Sequence, residues 1–153
     1  MKVFLSHAHA DEQFARELAV ALTAEGLNVW SAEGNLYPGD NWALATGKAL
    51  KDADAMVTLL SPEAVKSRNV QNEIEYALGE ARFEGKLFPV VVRPTDQIPW
   101  ILRRFRIMEA GGDPTGTGRR IAEALKDLQT GSGTAIGKRH FGFPRKRKQE
   151  VLR

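Results

Sequence analysis

Short apolar runs alternate along the chain with segments whose apolar residues recur at helical spacing, and turn-forming residues mark the boundaries. Lys2 to Ser6 is the first such run. Beyond it Phe14, Ala15, Leu18, Ala19 and Leu22 form one helical stripe that closes at Gly26, with Asp11 placed to cap its start. Leu27 to Trp30 predicts a second strand. Ala32 to Asp40 carries Gly34, Asn35, Pro38 and Gly39, a density of turn formers that predicts an exposed loop. Asp40 is then expected to cap a helix bearing Trp42, Ala45, Ala49, Leu50 and Ala53 on one face.

Ala55 to Leu60 is apolar almost throughout, the pattern of a strand covered by helices on both faces. Ser61-Pro62 turns the chain, and Val70, Ile74, Ala77, Leu78 and Ala81 then make another helical stripe. Leu87 to Val92 predicts the fourth strand. Arg93 to Arg104 is broken by Pro94, Asp96 and Pro99 and predicts irregular backbone, with Trp100 packed among Ile98, Ile101 and Leu102. Phe105 to Met108 reads as a short edge strand and Gly111 to Gly118 as a turn. Gly116-Thr117-Gly118 lacks the rest of a phosphate-loop pattern and reads as entry to a last helix carrying Ile121, Ala122, Leu125 and Leu128.

Strands alternating with helices of this length predict an α/β fold, a doubly wound parallel sheet with helices on both faces. Ligands of such sheets bind outside the carboxyl ends of the strands, near the topological switch point. That rim comprises Ser6 to Asp11, Ser31 to Asp40 and Ser61 to Asn69. Glu73 sits between Val70 and Ala77 on the edge of its apolar stripe, near the start of its helix, and faces the same crevice. A carboxylate there must be paired or used. Glu75 projects to a different face and Glu80 lies two turns on, so both read as surface charge.

At 153 residues, 42% hydrophobic and 27% charged, the chain is sized for one domain with an ordinary core. The start is too polar for a signal peptide and no run approaches membrane-spanning length, which makes the cytoplasm the expected location. The absence of cysteine excludes disulfides, thiolate metal sites and cysteine nucleophiles. Seven Lys/Arg against Glu150 give the segment from Lys138 onward +6, leaving −3 of the net +3 for residues 1–137. The folded part therefore offers no electrostatic case for nucleic acid. Thr130 to Gly137 reads as a flexible linker and Lys138 to Arg153 as a basic tail. There Phe141 and Phe143 interleave with the charges, the one pattern suited to nucleic acid or a partner. His7 and His9 share one face of a strand end and, with Asp11, invite a metal reading; Asp11 is better used as a cap, and no metal site is assigned.

In these residues the chain resembles Toll/interleukin-1 receptor (TIR) domains, with the bacterial-type members most similar. Val3-Phe4-Leu5-Ser6-His7 with His9 and Asp11 resembles their first box, and Leu36 to Asp40 the Pro-Gly-Asp loop after their second strand. Leu60-Ser61-Pro62 followed by Asn72-Glu73-Ile74 and Ala77-Leu78 resembles their third strand and catalytic helix. The resemblance runs in order over residues 1–129 and leaves 130–153 as linker and tail. It implies a flavodoxin-like five-stranded parallel sheet. It also implies cleavage of NAD⁺ between nicotinamide and ribose, with Glu73 as the catalytic residue, NAD⁺ as substrate and no cofactor. Cyclised or transferred ADP-ribosyl products, homotypic TIR–TIR self-association and a role in bacterial antiviral defence or signalling belong to the same expectation.

The resemblance further suggests that the loop of Ser6, His7 and His9 contacts the substrate's phosphates or adenosine. Catalytic members often carry Trp four residues before the glutamate, where this chain has Asn69. Trp42, Tyr37 or Trp30 is then expected to supply an aromatic platform, Trp42 standing open between pocket and core. Glu33 reads as a solvated loop charge, or as one that pairs across an assembly interface. Two other readings stand beside the enzyme: a non-catalytic adaptor of the same fold, and a nucleoside 2-deoxyribosyltransferase-like enzyme that would ignore NAD⁺. A crevice with Glu73 facing it favours the enzyme; an exposed or salt-bridged Glu73 beside a closed crevice favours the adaptor.

Overall fold

The computed structural model describes residues 1–130. Five strands, β1 (Lys2–Ser6), β2 (Asn28–Trp30), β3 (Ala55–Leu60), β4 (Leu87–Val91) and β5 (Met108–Glu109), form one parallel sheet in the order β2-β1-β3-β4-β5. The helices are α1 (Glu12–Ala24), the single turn α2 (Ala32–Asn35), α3 (Trp42–Asp52), α4 (Arg68–Leu78) and α5 (Pro114–Thr130). This is the doubly wound α/β architecture that the alternating pattern predicts. The linker and basic tail expected beyond Thr130 lie outside the described residues. No helix among the described residues is long and apolar enough to cross a membrane.

Alternation along the strands sorts side chains into two cores. On one face Phe4, Met56, Leu60 and Leu87 pack with Val70, Ile74 and Phe83; on the other Val3, Leu5, Val57 and Leu59 meet Leu18, Leu22, Ile121 and Leu125. All six residues of β3 are buried, as expected of the central strand. The pairing Ser6↔Thr58 brings the carboxyl ends of β1 and β3 side by side. Between these two strands the winding reverses direction, so the crevice opens there.

Several local expectations are corrected. Asp11 makes no capping bond to α1; its carboxylate is buried and turned toward β3 and β4. Asn41, not Asp40, caps α3 by accepting from Leu44 N, while Asp40 accepts from Tyr37 N. The expected loop at 32–40 contains α2, capped by Ser31. Helix α5 starts at Pro114, four residues before the predicted turn ends, with Asp113 Oδ1 accepting from Gly116 N at 2.9 Å. Gly118 is then inside a helix because a Cβ there would stand 2.7 Å from Ala21 Cβ, where α1 and α5 cross. The stripe on α4 ends at Leu78; Ala81 is exposed and Phe83 takes the core position. The edge strand is Met108–Glu109, not Phe105 to Met108, and Trp100, expected to pack, is 72% exposed on a 3-10 turn (Trp100–Arg104).

Candidate active site

A cavity of about 970 Å³ opens at the carboxyl ends of β1 and β3. The loop after β1 supplies His7 and His9 to its wall, the segment after β2 supplies Glu33, Trp42 and Thr46, and α4 supplies Ser67, Asn69, Asn72, Glu73 and Tyr76. Ser67 Oγ accepts from Val70 N and so sets where α4 begins. With that start fixed, burial of Val70, Ile74 and Ala77 rotates Glu73 to the cavity edge of the helix.

Ser6, at the end of β1, donates its hydroxyl to Glu73 Oε1 at 2.6 Å. Among the described residues no cation pairs with this carboxylate. Burial raises the Glu73 pKa above that of an ordinary glutamate, and the Ser6 hydrogen bond opposes the shift. The serine thus keeps one oxygen oriented and leaves the other for the cavity.

A second polar network, centred on Asp11, is one that no local pattern announces. Asp11 Oδ2 accepts from Ser61 Oγ at 2.5 Å, and its Oδ1 accepts from Arg93 Nε and Nη2 at 3.1 and 2.8 Å. Arg93 Nη2 also reaches Glu63 Oε1 at 2.5 Å. The loop after β1 is thereby tied to the ends of β3 and β4. Arg93 is 82 positions from Asp11, beyond the reach of any spacing argument.

The residues singled out in the sequence meet this cavity unevenly. Ser6 lies under it and holds Glu73; His7, His9, Trp42 and Asn69 line it. Tyr37 does not: it is 74% exposed and outside the wall. Trp30 stacks on Phe4 at 5.1 Å and lines a separate cavity of about 310 Å³ between β2 and α3. Tyr76, not among the sequence candidates, was legible: it follows Glu73 by three residues as Asn69 precedes it by four, so these three share a helix face, and Asn72, one turn after Asn69, also lines the cavity. Glu75 is exposed and Glu80 pairs with Arg82, as surface charges should.

His7 is mostly buried, which lowers its pKa; the charges of Glu33, Asp11 and Glu12 work against that, as does the Leu5 carbonyl without reaching hydrogen-bond geometry. Both its ring nitrogens are closed off from solvent and without a hydrogen-bond partner. The trio His7, His9 and Asp11 does not gather, because Asp11 faces Ser61 and Arg93. Instead His9, Glu12 and Glu33 offer ligand atoms within 4.8 Å of one another.

A family profile described as "TIR domain" matches residues 3–125. A curated relative, the NAD(+) hydrolase TcpA of Theionarchaea archaeon (strain DG-70-1), is 35% identical over 85 residues, 55% of this chain. That stretch is 26% of the relative, so the chain spans about a quarter of its length. The crystal structure of the TIR domain of the Toll-related receptor TRR-2 from Hydra magnipapillata matches with a TM-score of 0.67 at 17% identity, over 83% of this chain and 97% of that one. A metazoan TIR-STING receptor from C. gigas, in complex with 2',3'-cGAMP, matches with a TM-score of 0.69 at 22% identity, over 88% and 45%. At such identities these two structures speak to the fold alone.

Proposed function

Because the chain belongs to the TIR-domain family, we propose that it hydrolyses NAD⁺ at the nicotinamide–ribose bond, with Glu73 as the catalytic residue. The observation that carries this is the placement of Glu73: a partly buried, unpaired carboxylate on the wall of an open cavity at the switch point, held by Ser6. The NAD(+) hydrolase among its relatives supports the same reading.

Cleavage passes through an oxocarbenium-like ribose. The bond electrons leave with nicotinamide, which departs neutral, so no general acid is required. Glu73 accepts hydrogen bonds from the ribose hydroxyls and stabilises the positive charge that develops beside it. A water-poor wall strengthens that interaction. Water then attacks C1′ and loses a proton, giving ADP-ribose; an adenine nitrogen in its place gives a cyclic product. Small-molecule sites span about 300–1,000 Å³, and a 970 Å³ cavity is at the end that suits a dinucleotide. Trp42, 41% exposed, and Tyr76, one turn after Glu73, are aromatic side chains of the wall suited to the role that Asn69 leaves open. His9, exposed at the wall, faces the phosphate or adenosine end, and the ring of His7 packs behind it without offering a nitrogen to the cavity. Homotypic self-association belongs to the same reading. A signalling or defence role in the cytoplasm, where NAD⁺ is available, completes the reading.

Nicotinamide release from NAD⁺ at high protein concentration, compared between wild type and Glu73→Gln, tests it. We expect loss of at least about 10²-fold in the variant. Equal rates would remove Glu73 from the chemistry. No release by either protein would favour the adaptor, and turnover of deoxynucleosides without NAD⁺ cleavage the deoxyribosyltransferase-like reading.

A further inference from the structure

The described wall of the cavity carries Glu33, Glu63 and Glu73 and no lysine or arginine. Arg93, the cation bound to Glu63, is already shared with Asp11. A pyrophosphate entering such a cavity meets carboxylates and no compensating charge. We propose that His9, Glu12 and Glu33 bind a divalent first-row transition ion, of the Zn²⁺ and Co²⁺ class, at the rim of this cavity.

The geometry is close to what such an ion requires. Two ligands each about 2.1 Å from a tetrahedral ion stand about 3.4 Å apart. His9 Nδ1 is 3.3 Å from Glu33 Oε2 and 3.7 Å from Glu12 Oε1. Arg16 holds the other oxygen of Glu12, Oε2, and so turns Oε1 toward His9, an outer partner of the kind that orients metal ligands. One imidazole with two carboxylates suits zinc or cobalt; calcium and magnesium favour all-oxygen sets. Three protein ligands leave a position open, and His9 and Glu33 both line the cavity.

The ion's role toward substrate rests on the NAD⁺ reading: it turns a repulsive rim into a seat for pyrophosphate and pins the loop after β1 to α2. The ion site itself is tested without nucleotide. Full-length protein, stripped by chelation, is titrated with Co²⁺ followed by visible absorption and with Zn²⁺ followed by calorimetry. We expect one saturable site per chain, weakened at least about tenfold by Glu33→Gln and by His9→Gln. His140→Gln and Glu75→Gln are expected to leave it unchanged. Absence of a saturable site, or a site that His140→Gln abolishes and Glu33→Gln does not, overturns the proposal. A Zn²⁺-dependent fall in KM for NAD⁺ that Glu33→Gln removes supports the phosphate seat. A KM indifferent to Zn²⁺ sinks the seat while the titration still decides the site, and absence of any nicotinamide release bears on the enzyme reading alone.

Discussion

Ser6 Oγ lies 2.6 Å from Glu73 Oε1 although 67 positions separate the two residues. Strand β1 and helix α4 thus share one carboxylate, and the bond is buried on the serine side. A hydrogen bond to a charged group contributes about 1.5–3 kcal/mol. Ser6→Ala is therefore expected to lower kcat/KM by about 10- to 100-fold and to move its acidic limb to higher pH, because the group that held the Glu73 pKa down is gone. A pH profile of nicotinamide release reads both effects; a profile unmoved by the substitution would separate Ser6 from the carboxylate's ionisation.

The burial of Glu73 also makes stability depend on pH. Its folded pKa is raised above 4.5, so the folded state binds the proton more tightly than the unfolded state and stability falls as pH rises from about 4.5 through the folded value. Above that window the whole cost of burying the charge is present. Glu73→Gln is expected to raise Tm at pH 7, with the gain fading as pH falls through the folded pKa and absent below the unfolded value of about 4.5. On the proposed reading, in which the ionised carboxylate acts, the acid limb of nicotinamide release should rise across the same window. Melting curves at pH 4 and 7 check the first statement; a gain equal at both would contradict it.

The bond of Asp11 to Arg93 and Ser61 is a packing element beneath the loop that carries His7 and His9. Arg93→Ala leaves a buried carboxylate with one partner fewer and is expected to cost about 1–3 kcal/mol, less than a fully buried pair because Arg93 is half exposed. Denaturant unfolding of Arg93→Ala, Ser61→Ala and the double variant should show effects that do not add, since both act on one carboxylate.

Where α1 and α5 cross, Gly118→Ala places a methyl group 2.7 Å from Ala21 Cβ. Overpacking of this kind costs about 1–3 kcal/mol. Ala21→Gly is expected to recover part of that loss in the double variant although it lowers helix propensity alone. Tm values of the four proteins give the sign of the coupling.

Trp42→Ala tests the aromatic surface. Stacking of a base on an aromatic side chain contributes about 1–3 kcal/mol, so KM for NAD⁺ should rise about tenfold, and by more than in Tyr37→Ala, since Trp42 lines the cavity and Tyr37 does not. Trp42 is 41% exposed and its indole Nε1 donates to the Tyr37 carbonyl at 3.2 Å, so Tm should also fall modestly, and KM measured well below Tm isolates the stacking effect.

What could be read from the chain alone was what depends on near neighbours. β1, β3 and the rotation of Glu73 toward the crevice follow from periodicities within a dozen residues, and Ser6 sits at the end of its strand by counting. Asp11 looked like a cap because its position in sequence is a capping position; its partners, Ser61 and Arg93, come from other strands. Gly118 looked like a turn because its need to be small arises from Ala21 on a different helix. Tyr37 looked like pocket lining because the loop was placed correctly, but its side chain turned outward. The trio His9, Glu12 and Glu33 was invisible for the same reason: α2 forms a helical turn where loop was expected, and that turn carries Glu33 back over the start of α1.

The sheet ends in β2, three residues long, and β5, two residues long. An exposed strand edge is a template on which another chain can continue the backbone ladder, and very short edges are one way of denying it. Copies crowded together can therefore touch through side chains and loops without their sheets fusing. Whatever gathers such molecules is free to let them go again.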